Sequence, residues 1–291
     1  VLILANVSLW SGNFTERDIM SVHFLDAGQG DSAVLMFDDH SVVVVDAGDS
    51  SKEYDCGKSV VGPFLKRRGI HHVDLLILTH FHSDHTGGAE YLLNHFRIDT
   101  LAMPNLYRHK EFIKYKRIAA ENDIPTKALK RGDVLNGYGK PALLVMNPGD
   151  HILRDSTSNM NDISLVILCK YKTGSVLLTG DAEIPAEEDM AGYQKLLQAD
   201  VVKIGHHGSA TASSAAFRDR VDAEWGIVSV GAFNRFNLPS EFRLEQFETE
   251  GTKIFRTDQN GTVRVQIQKQ GMIVDSHFCI LLHIHIGFII F

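Results

Sequence analysis

Leu75-Leu76-Ile77-Leu78-Thr79-His80-Phe81-His82-Ser83-Asp84-His85-Thr86-Gly87-Gly88 is the stretch that decides how this chain reads. The apolar run 73–78 predicts a buried strand stopping at Thr79, and four potential metal ligands follow within six residues. Imidazole nitrogen and carboxylate oxygen suit a catalytic zinc or manganese, and a buried strand fixes where the loop carrying them begins. Gly87-Gly88 then lets the backbone turn tightly beside the ions. A polar surface loop could hold the same residues by chance, but His-x-His-x-Asp-His placed directly on a strand end favours a metal site.

Two further strand ends repeat the pattern. Val176-Leu177-Leu178-Thr179-Gly180-Asp181 ends in a carboxylate, and Val201-Val202-Lys203-Ile204-Gly205-His206-His207-Gly208-Ser209 ends in paired histidines. Taken singly, an Asp after a Gly turn is a turn residue or helix cap, and His-His is surface filler. With the first cluster, they form a set of strand-end ligands able to converge on one edge of a sandwich.

The rest of the chain supplies the alternation such a sandwich needs. Strands are expected at 21–25, 33–37 and 42–45, with Asp38-Asp39 turning between the last two. Helical patterns cover 58–68, 89–95, 111–122, 186–199, 213–220 and 240–250, and further strands 142–146, 165–171, 176–178, 201–204, 226–230, 253–257 and 263–268. Two strand sets with helices outside make an α/β layered sandwich. With no low-complexity linker or repeat, 21–270 reads as one domain, flanked by an N-terminal extension (1–20) and an apolar tail (271–291). The apolar start, Val1 to Ala5, is a first strand or the stub of a signal or membrane segment, a hint of an extracytoplasmic setting. In the tail, His283 and His285 alternate with apolar residues, as in a strand or an artificial extension.

Composition excludes several classes. Hydrophobic residues make up 44% of the 291 and charged residues 22%, which is globular rather than disordered. The net charge of -7 gives no bulk attraction to polyanions, so any nucleic-acid site must be a local patch. The candidate runs from Arg108 to Arg131, where eight Lys/Arg, among them Lys114, Lys116 and Arg117, face only Glu111, Glu121 and Asp123. The plainer reading is a solvated helix face. Cys56, Cys169 and Cys279 are widely spaced and imply neither a disulfide framework nor a cysteine zinc site. Gly28-Gln29-Gly30 is followed by no Walker or dinucleotide pattern, so no nucleotide cofactor is expected.

The combination resembles the metallo-β-lactamase superfamily and, within it, the domain of ComEC-type DNA-uptake proteins. The resemblance runs from about Ser21 to Gln268. It rests on Leu25-Asp26-Ala27-Gly28-Gln29-Gly30-Asp31-Ser32, Val45-Asp46-Ala47-Gly48, the His80 to Gly88 stretch, Asn161-Asp162-Ile163-Ser164, Leu178-Thr179-Gly180-Asp181-Ala182, Lys203 to Ser209, and Ser229-Val230-Gly231. It implies a four-layer αββα sandwich holding two divalent metal ions, zinc or alternatively manganese. His80 and His82 would hold one ion and Asp84 and His85 the other, with Asp181 bridging and His206 or His207 completing the second site. Asp84 and Asp181 also take the catalytic roles, and Asp46 supports the metal loop.

Three departures from the pattern matter. Many members supply a third histidine before the strand at 165–171, where this chain reads Asn159-Met160-Asn161-Asp162, leaving Asp162, Asn161 or water for that position. The ComEC-like Gly-His-Pro is replaced by Asn237-Leu238-Pro239. His82 stands where ComEC-like domains often carry Asp.

The implied activity is a metal-dependent hydrolase, a phosphodiesterase working through a metal-bound hydroxide on nucleic acid, including single strands, or on another phosphodiester. The alternatives are a lactone or β-lactam hydrolase of the same fold, since one site supports many chemistries, and a catalytically weak metal-binding scaffold.

Overall fold

The computed structural model describes residues 19–137, 142–155 and 158–277. Within them, two facing β-sheets are each covered on the outside by helices, an αββα sandwich. One buried cluster lies between the sheets, built from residues such as Phe24, Val43, Ile77, Ile167 and Val201. Two more lie between each sheet and its helices.

Strands are numbered along the chain. Across the first sheet they run β17 (Gly271–His277), β16 (Thr262–Gln268), β1 (Met20–Phe24), β2 (Ala33–Met36), β3 (Val42–Val45), β5 (Leu75–Ile77), β7 (Leu101–Pro104) and β8 (Thr126–Leu129). The second sheet runs β15 (Lys253–Arg256), β14 (Trp225–Val228), β13 (Val201–Lys203), β12 (Gly174–Leu178), β11 (Val166–Tyr171), β10 (Ala142–Asn147) and β9 (Val134–Leu135). A small ribbon pairs β4 (His72–Val73) with β6 (Arg97–Ile98).

β3 is four valines buried on both faces, which is why a β-branched run lies inside its sheet rather than at an edge. From β3 through β5, β7 and β8 the pairing is parallel, and so is that from β12 through β15. Parallel strands leave their carboxyl ends along one rim, where ligands of layered α/β proteins collect. Asp46 follows β3, the histidine loop follows β5, Asp181 follows β12, and His206-His207 follow β13.

Several expectations change. β7 and β8 were not foreseen: β7 is four residues ending in Pro104, and β8 lies at a sheet edge with only Leu129 of its four residues buried. The single helix expected at 186–199 is the α-helix Ile184–Met190 followed by a 3-10 segment, Ala191–Leu197, broken at Gln194 with φ 43°. The first seven residues of the expected tail form β17, paired in register with β16. The apolar start, Cys279, His283 and His285 lie outside the described residues. No helix among the described residues is long and apolar enough to cross a membrane.

Candidate metal centre

The ligand loop is held from both sides before any ion is considered. Asp46 leaves β3 with φ 61°, and its carboxylate accepts from the Thr79 amide (2.7 Å), the Thr79 hydroxyl (2.7 Å) and His85 Nδ1 (2.8 Å). A non-glycine residue held at positive φ is backbone strain that surrounding bonds must over-determine. Here those bonds fix the end of β5 and turn His85 Nε2 away from Asp46. The Asp31 amide donates to Asp84 O (3.0 Å) and the Ala47 amide to His85 O (2.7 Å), pinning the short helical turn Ser83–Thr86. Gly87 and Gly88 serve differently from the tight turn expected of them. Both have ordinary helical φ values, and a Cβ on Gly88 would strike the Gly57 amide and Ala47 O. They are glycines because another stretch of backbone lies against them.

The second half of the cluster comes from the other sheet. The Asp181 amide donates to Ser164 Oγ (3.1 Å), and the carboxylate reaches across to the histidines. Its Oδ1 lies 3.2 Å from His85 Nε2, and its Oδ2 lies 4.0 Å from His80 Nε2 and 3.6 Å from His207 Nε2. His207, itself at φ 52°, uses Nδ1 on Ser229 O (2.8 Å), so its Nε2 faces Asp84 Oδ2 at 3.3 Å. One ligating atom each from Asp84, His85, Asp181 and His207 lies within 4.8 Å of the others. His80 Nε2 and His82 Nδ1 face each other at 3.0 Å beside this group.

Charge and desolvation suit a cation. Burial, reinforced by His85, holds the His80 imidazole well below its usual range and therefore neutral. Burial also opposes charge on His85, but Asp181, Asp46 and Asp31 outweigh it and push its pKa well up. His207 is raised likewise, burial being outweighed chiefly by Asp181 and Asp31. Although burial disfavours the Asp181 carboxylate, His85 and His207 hold it well below the usual range. His85 Nε2 and Asp181 Oδ1 are buried without a hydrogen-bond partner despite their proximity. They form an ion pair at 3.2 Å, so their charges are balanced while each keeps coordinating capacity that no hydrogen bond uses. Their donor types and convergence fit divalent ions.

Two residues expected at the centre face elsewhere. His206 Nδ1 pairs with Glu183 Oε1 (2.7 Å), away from Asp181, because consecutive left-handed residues, 206 at φ 48° and 207 at φ 52°, send the adjacent rings apart. Asp162 lies by the amides of Glu183 and Ala186, where helix Ile184–Met190 begins, with its Oδ1 buried and making no hydrogen bond. The basic stretch divides as well. Lys114, with Lys110, lines a groove of about 660 Å³ that also contains His82, Phe81 and His109. Lys116 is exposed outside that groove, and Arg117 pairs with Glu121 (2.5 Å). Lys130 pairs with Asp150 (2.9 Å) and Arg131 with Asp189.

Sequence reasoning missed Asp31 and Lys203. Lys203 is 4% exposed, bonds Gly180 O at 2.9 Å and forms an ion pair with Asp31 Oδ2. Its Nζ lies 3.9 Å from Asp181 Oδ1. The signal was a lone Lys inside the apolar strand 201–204, because a buried charge needs a partner.

Similarity to known proteins agrees with this geometry. The family profile described as the metallo-beta-lactamase superfamily matches residues 26–231. "ComE operon protein 3" of Bacillus subtilis (strain 168) is 30% identical over 265 residues, 86% of this chain and 33% of that protein. "Recombination protein 2" of Haemophilus influenzae is 30% identical over 245 residues, 84% of this chain and 28% of that protein. The chain thus spans about a third of the length of these relatives. Among solved structures, "CmlA beta-hydroxylase E377D mutant" superposes with a TM-score of 0.59 at 14% identity, covering 91% of this chain and 56% of that one.

Proposed function

Because the chain belongs to the metallo-β-lactamase superfamily and is similar to ComEC-like proteins, we propose that it is a metal-dependent phosphodiesterase with nucleic acid as its substrate. The observation that carries this reading is the convergence of His80, His82, Asp84, His85, Asp181 and His207 on one rim, with one ligating atom each from Asp84, His85, Asp181 and His207 within 4.8 Å of the others. The substrate class draws on the relative named as a recombination protein; Lys110 and Lys114 line the groove beside His82 together with Asp55, Glu90 and Glu111, so the groove itself carries no excess of positive charge.

In this reading His80 and His82 hold one ion, Asp84, His85 and His207 the other, and Asp181 serves both. A bound pair of divalent ions, zinc or manganese, supplies Lewis acidity at the phosphoryl oxygen and lowers the pKa of water. The chain's own residues do the rest. Asp46 and Ser229 O each engage an imidazole Nδ1, presenting Nε2 of His85 and His207 to the site. Asp84, with a side chain 29% exposed against 2% for Asp181, is the more open of the two carboxylates. Although burial opposes its charge, His207 and His85 hold its pKa well below the usual range, so it stays ionised and available to a cation. Lys203 balances the charge of Asp31 beneath the site.

The test is metal analysis followed by hydrolysis of a single-stranded oligonucleotide, a small chromogenic phosphodiester, a lactone and a β-lactam, with zinc or manganese added. Phosphodiester cleavage abolished by chelation is expected. Turnover of only the lactone or β-lactam would replace the substrate class. Metal binding without turnover of any of the four would reduce the chain to a scaffold.

A further inference from the structure

The segment between β14 and helix Glu241–Thr249 carries two exposed phenylalanines, Phe233 at 105% and Phe236 at 53%. A single exposed apolar side chain needs no explanation. This pair differs in how it is held. Asn234 alone makes four bonds inside the loop: its Nδ2 donates to Gly231 O (3.0 Å) and Leu238 O (2.6 Å), and its Oδ1 accepts from the amides of Phe236 (3.1 Å) and Leu238 (3.1 Å). Phe233 sits at φ 55°, an unfavourable conformation for a bulky residue, with its ring in water.

Both roots of the loop grip the candidate metal centre. At one end, Ser229 O accepts from His207 Nδ1, and the Gly231 amide donates to Gln29 Oε1 at 3.1 Å. Gly231 lies so close to the backbone of Gly28 and Gln29 that a Cβ there would come within 2.7 Å of the Gln29 nitrogen. At the other end, the Ser240 amide donates to Gly208 O (2.9 Å), and Pro239 packs on Gly208, the residue after His207. The aromatic loop is therefore a rigid extension of the segment that positions His207. Arg235 stands over one face of the Phe236 ring at 4.9 Å, so that the half-exposed ring carries a cation on that side.

We propose that the loop 231–239 is a stacking platform for the bases of a single-stranded nucleic acid whose backbone enters the candidate metal centre. Phe233 and Phe236 offer π-faces that any base can stack on, and Arg235 offers charge to the adjoining phosphate, the pairing used by sequence-tolerant single-strand binders. The proposal rests on the phosphodiesterase reading and narrows its substrate to a polymer with bases.

The test compares the parent with Phe233→Ala/Phe236→Ala and with Phe233→Trp/Phe236→Trp. Binding of a fluorescent single-stranded oligonucleotide and of an abasic strand of equal length is read by anisotropy in chelator, so that no catalysis is required. We expect the alanine pair to lose on the order of tenfold or more in oligonucleotide affinity and the tryptophan pair to retain it, with the abasic strand bound weakly by all three. With metal added, the ratio of kcat/KM for the oligonucleotide to that for a small phosphodiester should fall correspondingly in the alanine pair. Equal oligonucleotide binding by parent and alanine pair overturns the platform and leaves the phosphodiesterase reading intact. A parent that binds the oligonucleotide through these rings but cleaves no phosphodiester keeps the platform and removes the enzyme reading. Loss in the alanine pair of binding to anionic lipid vesicles, with oligonucleotide binding unchanged, would assign the rings to a membrane surface and overturn the proposal.

Discussion

Asp181 is the side chain on which both halves of the cluster depend, since Oδ1 faces His85 and Oδ2 faces His80 and His207. Asp181→Asn keeps the volume and removes the charge, so metal content should drop from about two ions per chain to below one. His207→Ala should lose one ion, and His206→Ala none, because His206 is engaged by Glu183. Metal analysis of the purified variants decides the matter, and equal loss from the two histidine variants would undo the assignment of His207. Lys203 gives a separate test that needs no metal. Lys203→Met would leave Asp31 a buried carboxylate without its cation, which typically costs about 3–5 kcal/mol. Adding Asp31→Asn should recover most of that loss in denaturant unfolding. A double variant no more stable than Lys203→Met would show that Lys203 acts through its other partners, Gly180 O and Asp181.

At the scale of elements, what was legible in the sequence was whatever ends a buried strand in a functional group. Val42–Val45 and Leu75–Ile77 announce themselves by unbroken apolar or β-branched runs and Val201–Lys203 by its paired valines, and Asp46, His80 and His207 come soon after them. β7 and β8 were hidden because four-residue strands at or near a sheet edge have no period long enough to separate from a connection. The choice between His206 and His207 was hidden for a geometric reason. Two successive left-handed residues reverse the alternation that an extended strand would have given, and φ cannot be read from His-His. Asp162 was hidden by competition, since a carboxylate near a helix start has amides to bind as well as metals. The aromatic loop left no periodic trace because it is held by one asparagine and by close backbone approach at Gly231.

Over the whole molecule the net charge of -7 opposes a polyanion, so the few cations that face the candidate centre must carry any electrostatic guidance. The helix Lys110–Glu121 presents its N-terminal end to the groove beside His82, where Lys110 and Lys114 and the positive end of the helix dipole stand against Glu111, Glu90 and Asp55. Lys114 is only loosely tied, at 3.8 Å from Glu90 and 4.0 Å from Glu111, and can be redirected to a phosphate. Lys116 and Arg117 sit outside the groove, and Arg117 already has Glu121. The expectation that Lys114, Lys116 and Arg117 act together therefore separates into two. Removing Lys110 and Lys114 should weaken binding of a single-stranded oligonucleotide and flatten its dependence on salt by about 1.4 in log–log slope, roughly 0.7 for each phosphate no longer neutralised. Removing Lys116 and Arg117 should leave that slope nearly unchanged. Titrations of the two paired variants across a range of salt measure this directly. Equal flattening would mean that the strand runs along the full length of the helix. Flattening in neither would leave Arg235 and the Phe233–Phe236 loop, on the opposite sheet's rim, as the approach a strand takes to the metals.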